Sequence, residues 1–216
     1  FVINLSGPSR QQCNDPKILS EYYRFIKELA LGMKRAPLSI LIHISTNKVY
    51  ANNRKITEES DLLGDDCYQI SRINAEKILL HKLKSENLNI IRLSNCFGGW
   101  EHRQSCDELL YHQIVRNLDS GFFKLNSSGD QILNFISAKT FENSILAIVE
   151  QKPRNAICIY NLGQYEMSVK EFSELTQLFA NLYIYEWNAL GDSLRQLPLR
   201  LQKQENYKSG LIRSVF

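Results

Sequence analysis

The sequence predicts an α/β fold built on a parallel sheet, and two patterns in its 216 residues indicate this. Short apolar runs rich in β-branched residues alternate with longer segments of helical periodicity, which is typical of βαβ units. In addition, the run at 39–45 is almost continuously apolar, as expected for a strand that helices cover on both faces. No internal repeat or linker is visible, so we expect one α/β unit with a smaller mixed portion towards the C-terminal end.

The individual elements follow from periodicity and from the residues that end them. In the first helix, apolar residues from Ile18 to Ala30 recur at helical spacing, and Gly32 and Pro37 end it. Strands are expected at Val2–Leu5, Ser39–Ser45, Asn89–Leu93, Phe123–Leu125, Asn134–Ile136, Ala156–Tyr160 and Tyr183–Tyr185. Helices are expected at Lys17–Met33, Tyr68–Ser85, Cys106–Leu118, Thr140–Glu150 and Val169–Leu182.

Composition argues against several classes of function. The formal charge of +3, without a face that gathers Lys and Arg, speaks against nucleic-acid binding. No apolar run reaches the roughly 18 residues of a membrane span, and the start of the chain lacks the basic region of a signal peptide. The five cysteines are scattered without metal-ligand spacing, so we expect no metal, reduced thiols and a cytoplasmic location.

Candidate catalytic side chains lie at the ends of predicted elements. Thr46 and Asn95 each follow a predicted strand, and Tyr68 precedes Arg72 by one helical turn. Because ligands bind beyond the carboxyl ends of parallel strands, we expect Thr46 and Asn95 to converge on one crevice. A phenol has a pKa near ~10, so it acts as a base near neutrality only where a positive charge stabilises the phenolate. Arg72 lies on the same helix face as Tyr68 and supplies such a charge.

At these residues the chain resembles the extended short-chain dehydrogenase/reductase family, which includes NAD-dependent nucleotide-sugar epimerases and dehydratases. Each motif alone is weak, but six of them occur in the order and at the spacing of the family. The matching segments are Val2–Gly7 (V-I-H-L-A-A in the family), Ile44–Tyr50 (S-[ST]-x-x-V-Y-G), Tyr68–Arg72 (Y-x-x-x-K), Arg92–Gly98 (R-x-x-N-x-[YF]-G), Ser128–Ile136 (G-x-x-x-R-D-F-[IV]) and Ile159–Phe172 (Y-N-[IL]-G, then S-[VI]-x-E-[FL]).

The resemblance implies a doubly wound parallel sheet of the Rossmann type that lacks the first βαβ strands. Residues 1–120 would form the C-terminal part of an NAD(P)-binding domain, and residues 121–216 a smaller substrate-binding portion interleaved with the last strand. The glycine-rich turn that receives the pyrophosphate would precede Phe1, so the chain looks like a fragment. NAD or NADP would bind only if that turn is present in the full protein, and the other ligand would be a nucleotide-activated sugar.

The residue roles of the family carry over by position. Thr46 would hydrogen-bond the reacting sugar oxygen, and Tyr68 would act as the acid/base with Arg72 as its neighbouring cation. The residues implied to contact the substrate are Asn95 and Lys48. The residues implied to contact the cofactor are Ser6, Gly7, Tyr68 and Arg72.

Departures from the family pattern bear on the chemistry. Arg72 stands where the family has a lysine that binds the ribose hydroxyls, and a planar guanidinium does not replace a point ammonium. Leu133 stands where an arginine commonly grips the diphosphate, which removes a charge-assisted contact. Asn47 and Lys48 stand where sugar 4,6-dehydratases carry the Asp-Glu pair that eliminates water, so we expect no such chemistry here.

Three functions therefore stay open at the level of sequence. The first is an NAD(P)-dependent nucleotide-sugar epimerase or reductase that transfers protons through Thr46, Tyr68 and Arg72. The second is a catalytically impaired relative that binds a dinucleotide or a partner protein, and the third is an inactive gene fragment. Thr46 and Asn95 also have a simpler interpretation, since polar residues at strand ends often cap the following turn.

Helix packing gives a last set of expectations. The helices at 17–33 and 68–85 correspond to those that form a homodimer interface in the resembled family. The residues assigned to the outer faces of these helices are Tyr23 and Ile73. The residues assigned to the core are His43, Phe25, Phe172 and Phe179.

Overall fold

The computed structural model describes residues 1–51, 56–83, 87–97, 128–151 and 156–175. The chain divides into two compact units, unit 1 (Phe1–Cys96 with Asn134–Tyr165) and unit 2 (Phe97–Leu133 with Glu166–Phe216). The predicted elements at Cys106–Leu118, Phe123–Leu125 and Tyr183–Tyr185 lie outside the described residues.

Strands and helices alternate along the chain. The strands are β1 (Val2–Asn4), β2 (Leu41–Thr46), β3 (Leu88–Leu93), β4 (Asn95–Phe97), β5 (Ile132–Ser137), β6 (Ile157–Leu162) and β7 (Tyr165–Ser168). The helices are α1 (Pro16–Lys34), α2 (Cys67–Lys82) and α3 (Ala138–Gln151), and a further helix begins at residue 169. None of the helices in the described segments is both long and apolar enough to cross a membrane.

Four strands of unit 1 form a parallel sheet in the order β1-β2-β3-β6, which confirms the predicted parallel architecture. In this register His43 of β2 pairs with Asn4 of β1, and Thr46 pairs with Leu93 of β3. The carboxyl ends of neighbouring strands are therefore level. The polar residues that follow β1, β2 and β3 lie along one edge of the sheet.

Helices cover both faces of this sheet. Leu41 of β2 packs in a buried cluster with residues of α1 and α2, whereas Ile42 and Ile44 pack with residues of α3. Successive strand residues point to opposite faces, so α1 and α2 lie on one face and α3 on the other. This is the doubly wound arrangement of a Rossmann-type fold, and it explains why the run at 39–45 is apolar without alternation.

A capping box fixes the start of α2. The Asp66 carboxylate accepts a hydrogen bond from the Gln69 N–H at 2.8 Å, and Gln69 Oε1 accepts one from the Asp66 N–H at 3.3 Å. The Asp15 carboxylate likewise caps α1. The capping box therefore places Tyr68 in the first turn of α2, close to the carboxyl edge of the sheet.

A second sheet, in the order β4-β5-β7, contains two strands that the sequence does not predict. Ser94 separates β3 from β4, and its N–H pairs with the carbonyl of Leu162 at 2.9 Å. β4 has three residues and β7 has four, which is too short to show an alternating pattern.

In unit 2 Phe172 packs against Phe97. The Phe172 ring is buried and meets the Phe97 ring edge-on, with the ring centroids 5.6 Å apart. The helix that begins at residue 169 has a capping box, in which Ser168 Oγ accepts from the Glu171 N–H at 3.1 Å and Glu171 Oε2 accepts from the Ser168 N–H at 2.7 Å. The predicted core position of Phe172 is thus confirmed, and Phe179 lies outside the described residues.

The core assignment of Phe25 is wrong. Phe25 is 46% exposed, because Tyr22 and Ile26 occupy the face of α1 that packs on the sheet. Several aromatic residues follow one another in this helix, so periodicity alone does not select the buried face. His43, in contrast, is fully buried as expected.

The assignment of Ile73 to an outer helix face is also wrong, whereas Tyr23 is partly buried and partly accessible. Ile73 is buried and packs with Val49 and Tyr50. Tyr23 packs against the core of unit 1, and its hydroxyl accepts a hydrogen bond from Asn74 Nδ2 at 3.3 Å. Both side chains therefore serve packing within the chain, and the homodimer stays a prediction that they do not support.

Candidate functional site

The loop that follows β1 turns around Asn4. The Asn4 side-chain oxygen accepts hydrogen bonds from the Ser6 N–H at 3.0 Å and from the Ser6 hydroxyl at 2.6 Å. The Asn4 amide nitrogen donates to His43 Nδ1 at 2.9 Å. These bonds bring Ser6 and Gly7, the two loop residues predicted to contact a cofactor, to the carboxyl edge of the sheet.

Arg72 of α2 holds this loop. Its Nη1 donates to the Ser6 carbonyl at 3.2 Å, and its Nη2 donates to the Pro8 carbonyl at 3.4 Å. Gly7 lies between these carbonyls with a φ of +156°, and a Cβ there would come within 2.7 Å of Arg72 Nη2. The guanidinium therefore occupies space that any other residue at position 7 would need.

Tyr68 lies against two guanidinium groups. The Cζ atom of Arg72 is 5.1 Å from the centre of the Tyr68 ring, and the Cζ atom of Arg10 is 5.7 Å from it. Arg10 also pairs with the Asp66 carboxylate at 3.2 Å. The Tyr68 hydroxyl makes no hydrogen bond within the described part of the chain. The structure thus brings together four predicted residues, which are Ser6, Gly7, Tyr68 and Arg72.

Thr46 caps the turn that follows β2. Its side-chain oxygen accepts a hydrogen bond from the Lys48 N–H at 3.3 Å, and this caps the start of the 3-10 turn Asn47–Val49. The capping interpretation therefore describes its local role. Thr46 itself is buried, Lys48 is exposed, and no described hydrogen bond joins Thr46 to Tyr68.

Asn95 begins β4 and binds within the second sheet. Its Nδ2 donates to the carbonyl of Asn134 in β5 at 2.9 Å. This bond holds the two strands together, so the position of Asn95 has a structural explanation. Among the described contacts none joins Asn95 to Tyr68 or to Arg72, and its contact with a substrate stays a prediction.

A buried ion pair that the sequence did not predict joins α2 to β3. Arg92 Nη2 of β3 is 2.8 Å from Glu76 Oε2 of α2, and the two side chains are 3% and 0% exposed. Arg92 Nε also donates to both oxygens of this carboxylate, and Ser45 donates a short hydrogen bond to it. Burial alone would lower the pKa of Arg92, but the hydrogen bonds and the negative charge of Glu76 outweigh this effect and raise the pKa.

The ion pair continues towards β6. Arg92 Nη1 donates to the Tyr50 hydroxyl at 2.6 Å and to the Glu58 carbonyl at 3.1 Å. The Tyr50 hydroxyl donates to Asn161 Oδ1 at 2.6 Å, and the Asn161 N–H donates to the Glu58 carboxylate at 2.8 Å. This buried network fixes α2, and with it the candidate tyrosine, against the ends of β2, β3 and β6.

A signal for the network is present in the sequence. Arg92 interrupts the otherwise largely apolar strand Leu88–Leu93, and a charge in a strand covered on both faces needs a buried partner. The identity of that partner does not follow from the sequence, since Glu76 and Glu58 are both acidic residues of neighbouring segments. The choice depends on how α2 is seated on the sheet.

His43 is held neutral in the core. Because Asn4 uses its oxygen for Ser6, its amide nitrogen must donate, and His43 Nδ1 must accept. The ring proton is therefore on Nε2, which has no partner in the described structure. Burial, assisted by the charge of Arg72, lowers the pKa of His43 to about 4. No three His, Cys, Asp or Glu side chains of the described segments form a metal site.

A protein-family model matches most of the chain. The model of the NAD dependent epimerase/dehydratase family matches residues 2–163. No curated protein sequence matches the chain.

Several solved structures share the fold. A dTDP-glucose 4,6-dehydratase from Bacillus anthracis in complex with NAD has a TM-score of 0.65 at 20% identity, over 81% of this chain and 55% of that chain. The NAD-dependent NDP-hexosamine 5,6-dehydratase TunA has a TM-score of 0.69 at 17% identity, over 83% and 60%. A UDP-glucuronic acid 4-epimerase from Bacillus cereus, in complex with UDP-glucuronic acid and NAD, has a TM-score of 0.63 at 19% identity, over 72% and 50%. The chain spans half to three fifths of the length of these proteins.

Proposed function

Because the chain belongs to the NAD-dependent epimerase/dehydratase family, we propose that it supplies the proton-transfer residues of an NAD(P)-dependent epimerase or reductase that acts on a nucleotide-activated sugar. The observation that carries this proposal is the group formed by Tyr68, Arg72 and the loop from Ser6 to Pro8. The group lies at the carboxyl edge of the parallel sheet, which is where open α/β sheets bind ligands.

Tyr68 is the proposed acid/base. Its phenol exchanges a proton with an oxygen of the sugar, and the Cζ atom of Arg72 lies 5.1 Å from the ring centre. Two backbone carbonyls hold Arg72 in this position, so the charge does not depend on a flexible side chain. A positioned acid/base of this kind contributes about 10²–10⁴-fold to a rate.

Thr46 is proposed to donate a hydrogen bond to the reacting oxygen. Its side-chain oxygen is the acceptor in the bond from the Lys48 N–H, so its own hydroxyl hydrogen remains available. The same bond keeps the hydroxyl at the end of β2. A hydrogen bond donated to the sugar oxygen stabilises negative charge that develops there during the reaction.

The same group of residues fits a dinucleotide. The Tyr68 hydroxyl is unpaired among the described residues, and Arg72 keeps N–H donors beyond the two that bind the Ser6 and Pro8 carbonyls. Both side chains can therefore bind ribose hydroxyls, next to the exposed loop of Ser6 and Gly7. A bound nicotinamide would supply the hydride chemistry, and the protein would supply orientation and proton transfer.

The turn after Thr46 favours epimerisation or carbonyl reduction over elimination of water. Asn47 and Lys48 carry no carboxylate, so this turn offers no acid/base pair for elimination. The exposed Lys48 instead suits the negative charge of a nucleotide diphosphate. We propose that Lys48 and Asn95 contact the nucleotide-activated sugar.

Replacement of Tyr68 by Phe tests the proposal. In the full-length protein, turnover of a nucleotide sugar should fall by about 10²–10⁴-fold, because the acid/base is lost. The matched control is Tyr23→Phe, which removes a hydroxyl whose hydrogen bond within the described residues is to Asn74, between α1 and α2. Equal turnover of the wild type and Tyr68→Phe would exclude the acid/base role.

The hydrogen bonds of Arg72 to the loop favour a second function, which is ligand binding without turnover. Its bonds to the Ser6 and Pro8 carbonyls stabilise the loop whether or not a substrate is bound, as a structural arginine would. Arg72→Lys separates the two functions. Turnover that appears only in this variant would identify the natural chain as a catalytically impaired binder, whereas turnover in the wild type supports the enzyme.

A further inference from the structure

Cys13 and Cys67 approach each other from separate segments of unit 1. Cys13 lies in the 3-10 turn Gln12–Asn14 ahead of α1, and Cys67 is the first residue of α2. The Cys67 thiol donates to Asn14 Oδ1 at 3.2 Å, next to Cys13 in the chain. Cys13 Sγ lies 3.6 Å from Ser71 Oγ, one helical turn after Cys67.

These two contacts place the segment around Cys13 next to the first turn of α2, where Cys67 lies. Residues four apart on a helix share a face, so Cys67 and Ser71 present their side chains to the same side of α2. Cys13 packs against that side through its contact with Ser71, and the residue after Cys13 in the chain, Asn14, contacts Cys67. Both cysteines are free thiols. We propose that Cys13 and Cys67 are a dithiol modification site that forms a reversible disulfide beside Tyr68.

The difference in exposure sets the order of the reaction with a small disulfide, RSSR. Cys67 is partly exposed, whereas Cys13 is only 2% exposed. The Cys67 thiolate attacks one sulfur of RSSR and releases RS⁻, and the Cys13 thiolate then attacks the Cys67 sulfur and releases the second RS⁻. The protein loses two protons and two electrons, and RSSR is reduced to two RSH.

The surroundings of Cys13 suit the second step. Burial raises the pKa of the Cys13 thiol, so this thiol reacts poorly with outside disulfides and depends on a sulfur placed next to it. Ser71 donates its own hydroxyl hydrogen to the Tyr68 carbonyl at 2.7 Å. When Cys13 loses its thiol hydrogen, Ser71 therefore keeps its hydrogen bond to the Tyr68 carbonyl, and no buried donor is left without an acceptor.

The disulfide would join the start of α1 to the start of α2. The loop that it closes contains α1 and β2, and cross-links that close long loops stabilise a fold mainly by restricting the unfolded chain. For a chain of this size, we expect a rise in Tm of roughly 4–16 °C. The bond would also tie the backbone next to Tyr68 to the turn before α1.

The experiment treats the full chain with oxidised glutathione and measures intact mass, non-reducing peptide maps and Tm. We expect the loss of two hydrogen atoms, a Cys13–Cys67 peptide, and a rise in Tm that dithiothreitol reverses. Cys13→Ser should instead retain glutathione on Cys67, and Cys67→Ser should leave the buried Cys13 unmodified. The control Cys158→Ser, altered on β6, should form the same disulfide as the wild type.

Three results would overturn the proposal. One is a glutathione adduct that persists on Cys67 of the wild type, because Cys13 would then fail to resolve it. Another is a disulfide that pairs Cys13 or Cys67 with a different cysteine. The third is the absence of any oxidation at a glutathione redox poise that oxidises dithiothreitol completely. None of these readouts depends on turnover or on nucleotide binding.

Discussion

Removal of one partner of the Glu76–Arg92 pair is expected to destabilise unit 1 strongly. Arg92→Met leaves the Glu76 carboxyl group fully buried without its ion-pair partner, and it also removes a donor to the Tyr50 hydroxyl. Breaking a buried ion pair from one side costs about 3–5 kcal/mol. For a chain of this size, ~1 kcal/mol shifts Tm by about 2–4 °C, so we expect Tm to fall by roughly 6–20 °C.

Removal of both charges should cost less than removal of one. In the double variant Arg92→Met with Glu76→Leu, no charge stays buried, and the Tyr50 hydroxyl can still donate to Asn161. The remaining loss is that of the hydrogen bonds that Ser45 donates to Glu76 and Arg92 donates to the Glu58 carbonyl, about 1–3 kcal/mol. The two single replacements therefore should not add, and a double-mutant cycle measures their coupling.

Urea unfolding followed by circular dichroism gives the free energy of unfolding for each variant. The matched control is the Lys139–Glu142 pair of α3, whose side chains are 46% and 57% exposed. Lys139→Met should change the free energy of unfolding by less than about 0.5 kcal/mol. The reasoning would be refuted if Arg92→Met cost no more than this control, or if the costs of the two single replacements summed to that of the double variant.

Other contacts of unit 1 give three more expected outcomes. The pKa of His43 is lowered to about 4 by burial and by Arg72, whereas the unfolded chain takes up this proton near the ordinary value of 6.5. Protonation therefore favours the unfolded chain, and the free energy of unfolding should fall by about 3 kcal/mol as the pH drops from about 6.5 to about 4. Urea midpoints across this pH range should show the fall in stability in the wild type and in the His81→Gln control, and a smaller fall in His43→Gln. Identical pH profiles for all three proteins would contradict the role of His43. Gly7→Ala places a Cβ against the Arg72 guanidinium and should lower the free energy of unfolding in urea by about 1–3 kcal/mol. The loss should be clearly smaller in an Arg72→Ala background. An equal loss in both backgrounds would rule out the clash. Asp66→Ala removes the capping box of α2 and should lower the free energy of unfolding by about 1 kcal/mol in the same assay. The neighbouring replacement Asp65→Ala should be nearly neutral. Equal effects of the two replacements would argue against the cap.

The parallel sheet and its helices could be predicted because their signals are local. The run that forms β2 is almost continuously apolar and is buried along its whole length, since α1, α2 and α3 cover both of its faces. β4 and β7 could not be predicted, since three or four residues carry no measurable period. The choice of buried face in α1 failed at Phe25, because the adjacent aromatic residues of that helix fit more than one face.

The site could be predicted only where helix geometry decides it. The spacing of Tyr68 and Arg72 places them on one face of α2, and the ring and guanidinium are indeed close. The bonds from Arg72 to the Ser6 and Pro8 carbonyls involve backbone groups and the conformation at Gly7, which no residue pattern encodes. The pairing of Glu76 with Arg92 depends on the seating of α2 on the sheet, which is a property of the folded chain.

The most direct test of the central claim, that Tyr68 and Arg72 bind a dinucleotide, is calorimetric titration with NAD(H) and NADP(H). The titration compares the full-length protein with its Arg72→Met variant. We expect the full-length protein to bind one of the two dinucleotides, and Arg72→Met to weaken binding by about 10–100-fold, as loss of a charged hydrogen-bond donor does. The absence of binding, or equal affinities of the two proteins, would contradict the claim.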